Sequence, residues 1–242
     1  MCCATAALAA PVHEVTQAQI VSEQAYDDAK SHYQTNSSDA EAAWQFARTC
    51  FDLADLSTKN SERAAYGREG IDAARAALKL EPKSAAAHYY LGMNIGQVAQ
   101  TKTLGALSLV RQMESEWSMA RDLDARVDYA GPDRNLGMLY RDAPGPPLSI
   151  GDRVSAVQHL MRAVELSPEY PENHLNLIES QIKWNQMSEA DREYKKFLKT
   201  LPDARKLLTG PKWQGPWHDW DERQKAIETK LNRWRKHASS QR

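Results

Sequence analysis

The chain has 242 residues, 42% of them hydrophobic, with 31 Lys+Arg against 32 Asp+Glu for a formal net charge of −1. That balance argues against a dedicated nucleic-acid binder, whose affinity would rest on neutralising phosphates. No apolar run approaches the roughly 20 residues needed to cross a bilayer, and no alternating run of strand length is bounded by turn residues.

The first residues, Met1 to Ala10, are small and apolar, and Ala7-Leu8-Ala9 has the small-x-small form of a cleavage site. One reading is a clipped export signal, which would make this a periplasmic protein. The other is an alanine-rich terminus on a cytosolic one. Export is taken as the expectation, and residues 1–13 are set aside from the fold. Cys2, Cys3 and Cys50 form neither a disulfide framework nor a zinc spacing; Cys50 reads as a small buried hydrophobe.

From there the chain predicts helix after helix. Val15 to Tyr33 carries a stripe of Ile20, Val21, Ala25, Tyr26, Ala29 and Tyr33. Asn36-Ser-Ser-Asp39 caps a helix over Ala40 to Asp55, with Ala43, Trp44, Ala47, Cys50, Phe51 and Ala54 inward. Ser57 to Glu62 reads as a polar loop. Arg63 to Leu80 is the next helix, with Ala74, Ala77, Leu78 and Leu80 inward, stopped by Pro82. Ser84 opens another that ends near Ala99. After a loop from Gln100 to Leu107, a helix turns Leu109, Met113, Trp117, Ala120 and Leu123 inward. The three prolines and two glycines of 143–151 predict a stiff, non-helical excursion, and Asp152 caps the helix after it.

The closing phrase Ala77-Leu-Lys-Leu-Glu-Pro82 recurs at Ala120–Ala125 and Ala163–Pro168, each time 43 residues on. A shorter unit of 34 residues runs from Pro168 to Pro202. Within these units stand His88-x2-Leu91-Gly92-x2-Ile95, Asp133-x2-Leu136-Gly137-x2-Tyr140, His174-x2-Leu177-Ile178-x2-Gln181 and, earlier, Trp44-x2-Ala47-Arg48-x2-Phe51. Each has second-helix partners, such as Ala156-x3-Leu160 and Ala190-x3-Tyr194-x2-Phe197. This pattern resembles the tetratricopeptide repeat, W-x2-L-G-x2-Y then A-x3-F and a closing proline. It implies an all-α, tetratricopeptide-type solenoid of about four helix pairs with an N-terminal helix and a C-terminal capping helix. The first three repeats are stretched by inserts at 57–62, 101–107 and 143–151. The solenoid is expected over 14–206, and a Trp-rich loop with a capping helix over 207–242. In that last part Trp213, Trp217 and Trp220 read as locking the cap, or else as a partner platform. Asp221 to His237 is expected to be the capping helix, with a stripe of Trp220, Ile227, Leu231 and Trp234.

The phrase Tyr129 to Tyr140, followed by Asp142-Ala-Pro-Gly145, is similar to the TRAP-transporter T-component family. Those are exported bacterial tetratricopeptide proteins that pair with a periplasmic solute-binding protein. The stretch Ala77–Gly96 also resembles the regulator of microtubule dynamics proteins, which have similar stretched repeats. The resemblance spans roughly Asp39 to Asp203.

No metal spacing, nucleophile elbow, phosphate loop or dinucleotide fingerprint occurs, so no enzyme and no cofactor are expected. What remains is binding. In such a solenoid the first helices line the concave face, one residue past the W and G positions. That predicts a groove of Gln45 and Thr49 with Leu53, Tyr89, Met93 and Gln97, Arg134 and Met138 with Asp142, and Glu179 and Lys183 with Leu175. The mixture suits a protein or peptide partner, or a small apolar acid. The function expected is a non-enzymatic scaffold: an exported partner of a solute-binding protein, or alternatively an intracellular adaptor or an assembly factor oligomerised by its Trp-rich cap.

Overall fold

The structure is a computed structural model that describes residues 17–102 and 105–240. The expected export signal within 1–13, the start of the first expected helix and part of the 101–107 insert lie outside the described residues. Ten α-helices, and no strand, occur among the described residues. They are α1 (Gln17–Thr35), α2 (Ala40–Leu56), α3 (Asn60–Leu80), α4 (Ala85–Gln100), α5 (Ala106–Leu123), α6 (Val127–Asp142), α7 (Arg153–Leu166), α8 (Pro171–Lys183), α9 (Met187–Leu207) and α10 (Gln214–Ser240).

Four helical hairpins, α2/α3, α4/α5, α6/α7 and α8/α9, stack in order. Their first helices, α2, α4, α6 and α8, touch one another in succession and form the inner layer. Helix α10 packs on α8 and α9 and closes the array.

Local sequence explains most of the boundaries. The side chains of Asp39, Ser84 and Asp152 accept from the backbone N–H of Glu41, Ala87 and Ser155, satisfying donors that the first helical turn leaves free. Helices α3 and α7 stop two residues before Pro82 and Pro168. The 143–151 excursion is non-helical and closes on itself, the Gly151 N–H donating to Pro144 O at 2.8 Å. A Cβ at Gly151 would lie 2.0 Å from Ala143 O, so only glycine closes this loop.

Elsewhere the structure departs from expectation. Helix α3 begins at Asn60, so the polar loop shrinks to 57–59; an ion pair from Lys59 to Glu62 at 2.8 Å braces its first turn. Pro202 does not end α9, which runs on to Leu207. Burial of Ala204 and Leu208 holds that extra turn in place. Helix α1 packs on α2, and the cover is narrow: Tyr26 is buried, Ala29 and Tyr33 are partly so, while Ile20, Val21 and Ala25 face outward. Leu80, at the last turn of α3, is exposed rather than inward.

At the position where the repeat pattern carries a tryptophan, three hairpins instead join their two helices with an imidazole and a carboxylate. His88 on α4 meets Glu116 on α5 at 2.6 Å, Asp133 on α6 meets His159 on α7 at 2.7 Å, and His174 on α8 meets Glu193 on α9 at 2.7 Å. The small residue four positions later admits the second helix: a Cβ on Gly92 would lie 2.5 Å from Trp117 Nε1, and one on Gly137 2.6 Å from Leu160 Cγ. Cys50 is fully buried, and burial pushes its thiol pKa up.

The Trp-rich segment is less of a loop than expected. A 3-10 turn over Pro211–Trp213 runs directly into α10, which carries Trp217 and Trp220. Trp220 meets Tyr170 edge-on at 5.3 Å and Trp217 at 4.9 Å. The Trp217 indole N–H donates to Leu208 O at 2.8 Å. Trp220, Ile227 and Leu231 are buried and Trp234 half-buried, so the stripe seals the cap onto the last hairpin.

Candidate functional site

Counting equally from the caps Asp39 and Ser84 sets the register of the concave face. Ala43 falls opposite His88, Ala47 opposite Gly92, and Arg48 opposite Met93. Ala43 and Ala47 are fully buried at the helix crossing. Trp44 is therefore not the crossing residue. It lies one position further round and stacks on Tyr90 of α4, with centroids 6.0 Å apart and planes 4° off parallel.

The inward stripe of α2 is thus Trp44, Arg48 and Asp52, one residue before the expected Gln45, Thr49 and Leu53. Leu53 is buried, Gln45 donates to Glu41 of its own helix at 2.9 Å, and the Thr49 hydroxyl bonds the Phe46 carbonyl. The large aromatic of Trp44 masks the shift. The signal that corrects it is the cap spacing.

On α4 and α6 the expected residues divide. Met93 and Met138 are half-buried on the inner layer. Gln97 is buried, accepting from Arg63 at 2.6 Å and donating to Asp55 at 3.1 Å. Tyr89 and Arg134 are buried too, and form the floor rather than the lining. At the far end, Arg223 of α10 forks onto Glu179 at 2.8 and 2.9 Å, and Lys183 pairs with Asp142 at 2.8 Å. These last two are committed to the cap and to the neighbouring hairpin.

Tyr89 and Arg134 hold a run of three positive-φ residues, the longest such run among the described residues. Asp128, Tyr129 and Ala130, at the start of α6, have φ of 49°, 56° and 62°. Three successive non-glycine residues in the left-handed region cost on the order of 1–3 kcal/mol each and persist only where the surroundings hold them. Arg134 does so. It donates to the carbonyls of Asp128 and Tyr129 at 3.2 Å each, to Asn173 Oδ1 at 3.2 Å and to Asp128 Oδ2 at 2.8 Å. Its guanidinium also lies 4.9 Å from the Tyr170 ring centroid. The Tyr89 hydroxyl donates to Asp128 Oδ2 at 2.6 Å. Gly131 lets the Tyr89 ring approach, since a Cβ there would lie 2.6 Å from it. The turn delivers the Tyr129 ring onto Tyr170, stacked at 4.7 Å.

Electrostatics follow from this crowding. Burial works against the charge of Arg134, but Tyr89, Tyr170, Asp128 and Glu172 outweigh it and raise the pKa. Burial pushes Tyr89 well above the ordinary phenol range, with Asp128 adding to it. Asp52 is pushed up to about 6: burial acts first, Arg48 draws it down, and Asp128 and Asp55 push it further up. Arg48 remains exposed, so the accessible part of the floor sets a guanidinium near the carboxylates that act on it, Asp52 and Asp128. Arg48, Asp52 and Asp128 were not expected in the groove as site residues. Asp128 could not be read from helical periodicity, because a left-handed turn breaks it.

Among the described residues no group of three His, Cys, Asp or Glu is placed to hold a metal ion, and no helix is long and apolar enough to cross a membrane. The arrangement offers hydrogen-bond acceptors, a guanidinium, thioethers and aromatic edges along one surface, which is the equipment for holding a polypeptide.

Residues 12–106 match the family described as regulator of microtubule dynamics protein 1-3. Regulator of microtubule dynamics protein 3 from Rattus norvegicus is 28% identical over 90 residues, and so is that from Mus musculus. Each match covers 37% of this chain and 18% of the relative's length. Among solved structures, a thermophilic TPR protein of Thermus thermophilus, TTC0263, superposes with a TM-score of 0.58 at 19% identity, over 77% of this chain and 90% of its own. MamA does so with 0.53 at 16% identity, over 76% and 91%. The fold is a tetratricopeptide-type solenoid.

Proposed function

We propose that the chain is a non-catalytic scaffold that holds a segment of a partner protein along its concave stripe. The observation that carries this is the α2 edge of the floor. Exposed Arg48 stands beside Asp52, a half-buried carboxylate that burial and two like charges disfavour as an anion. A basic side chain from a partner relieves that cost, and a neighbouring acceptor satisfies Arg48. Met93 and Met138 supply adaptable apolar contact further along.

The likeness over residues 12–106 favours an adaptor similar to the regulator of microtubule dynamics proteins. The exported reading, as partner of a solute-binding protein, draws on the alanine-rich start and the Tyr129–Tyr140 phrase. Fractionation of cells making the protein from its own gene distinguishes the two: recovery outside the cytoplasm supports export, and retention inside it supports the adaptor.

The binding test is affinity capture with three variants. Arg48→Glu and Asp52→Lys are expected to lose the partner that the wild type retains, and Thr49→Glu to keep it. If all three retain the partner, the concave stripe is not the binding face.

A further inference from the structure

The outer face of the array carries a second surface. Helices α3 and α5 flank α4 and leave between them an open cleft of about 250 Å³. Ile95 and Val98 of α4, both buried, form its floor. Ile71 of α3 and Leu109 of α5 are half-buried in its walls. Ile95 lies two residues from Met93, so on the opposite side of α4 from the concave stripe. Arg68 and Arg75 stand at the rim on α3, both exposed, with the exposed carboxylate of Asp72 between them and Gln112 on α5, so the rim has an excess of one positive charge. Among the described residues neither guanidinium has a hydrogen-bond or ion-pair partner, in a chain where most other arginines do.

Spacing and charge together select the occupant. Arg68 and Arg75 are seven residues apart, two helical turns or about 10 Å, with Ile71 and Asp72 between them. Two carboxylates at the same interval on a second helix meet both guanidiniums, while a small acid reaches only one. The cleft is smaller than the roughly 300–1,000 Å³ usual for small-molecule pockets and fits a single large apolar side chain as an anchor. We propose that this cleft docks an acidic amphipathic helix of a partner protein. Carboxylates at i and i+7 pair with Arg68 and Arg75, and an apolar residue on the intervening turn enters the space between Ile71 and Leu109. This surface is separate from the concave stripe, so one partner can be held on each face.

The test uses a fluorescein-labelled helical peptide with glutamates at its first and eighth positions and leucines at its fourth and fifth, titrated with the full chain in fluorescence anisotropy. Saturable binding is expected, weakened at least tenfold by Arg68→Glu with Arg75→Glu. Binding to that double variant is expected to return when the peptide's glutamates become lysines. Both side chains are exposed, and circular dichroism checks that the variant is folded. Equal affinity for wild type and double variant overturns the proposal, as does the absence of saturable binding. Displacement of the peptide by decanoate at micromolar concentration would assign the cleft to a small acid instead. A wild-type dimer in light scattering that the double variant dissociates would assign it to a second copy; either result overturns the helix proposal.

Discussion

His159 Nδ1 lies 2.7 Å from Asp133 Oδ1, an arrangement that inverts its two counterparts. In the second and fourth hairpins the imidazole is on the first helix and the carboxylate on the second. In the third the order is exchanged, and Tyr140 stacks on the imidazole with centroids 5.5 Å apart. The joint requires a pair, and the side on which each partner stands is free.

Exchange should therefore be tolerated. Asp133→His alone leaves two imidazoles facing one another in a largely buried joint and is expected to cost about 3 kcal/mol. Adding His159→Glu recreates the order of the other two hairpins and should recover at least half of that. Urea unfolding of both singles and the double gives the coupling directly. A double variant as unstable as Asp133→His alone would show that the order is fixed.

Glu193 gives a pH dependence. It is buried, which opposes ionisation, yet His174 and Lys196 hold its carboxyl below the ordinary glutamate value of 4.5. A depressed folded-state value contributes stability above the unfolded value, and that contribution is lost as pH falls through the folded one. Glu193→Gln should thus cost about 3 kcal/mol at pH 7. The gap between variant and wild type should close once the pH drops below the ordinary glutamate range. Thermal unfolding across pH 3 to 7 checks it; a gap independent of pH contradicts the assignment.

Asp52 has the opposite sign. Its folded-state value is raised to about 6 from 3.8. The folded chain then holds the proton more tightly than the unfolded one, and stability is lost as pH rises toward and past 6. Asp52→Asn should stabilise the protein at pH 7 by about 1 kcal/mol, a modest figure because solvent reaches the carboxylate and screens it. The advantage should vanish below about pH 4. The same substitution weakens partner capture, which would mark Asp52 as a place where stability is given up for binding.

Gly92→Ala places a methyl 2.5 Å from the Trp117 indole nitrogen, whose N–H donates to Tyr89 O at 3.3 Å. Trp117 is buried and cannot swing aside. A cost of about 2–3 kcal/mol is expected, with a shift of Trp117 fluorescence. Pairing it with Trp117→Phe should recover part of the loss.

Arg134→Lys tests the grip on the left-handed turn. An ammonium cannot serve the Asp128 and Tyr129 carbonyls, Asn173 and Asp128 Oδ2 together. A cost of about 3 kcal/mol is expected, along with loss of hydrogen-exchange protection around 128–131. A variant as protected as wild type would mean that packing of the Tyr129 ring alone holds the turn.

Much of this architecture was legible in sequence because it rests on short-range rules. Asp39, Ser84 and Asp152 announce helices, Pro82 and Pro168 end them, and Gly92 and Gly137 mark crossings. Pro202 misled because buried side chains beyond it outweigh a lost backbone hydrogen bond. The concave face was half legible. Met93 and Met138 follow from periodicity, but Trp44 attracted the register of α2 by one residue, and that moved Arg48 and Asp52 out of view. Tyr89 and Arg134 occupy the expected positions, yet they turn to hold a backbone excursion that no repeat pattern encodes.

That excursion bears on how the array can come apart. In a stack whose units touch only nearest neighbours, stability is a sum of local terms and either end can melt alone. Arg134 reaches back to Tyr89 in the second hairpin and forward to Asn173 and Tyr170 in the fourth. One guanidinium is therefore shared by three successive units, and the strain of the left-handed turn is met only when all three are present. The cooperative block runs from Tyr89 to Asn173 at the least. Duplication or loss of a single hairpin, the ordinary way such arrays change length, would break it between α4 and α8 and spare it ahead of α4 or beyond α9.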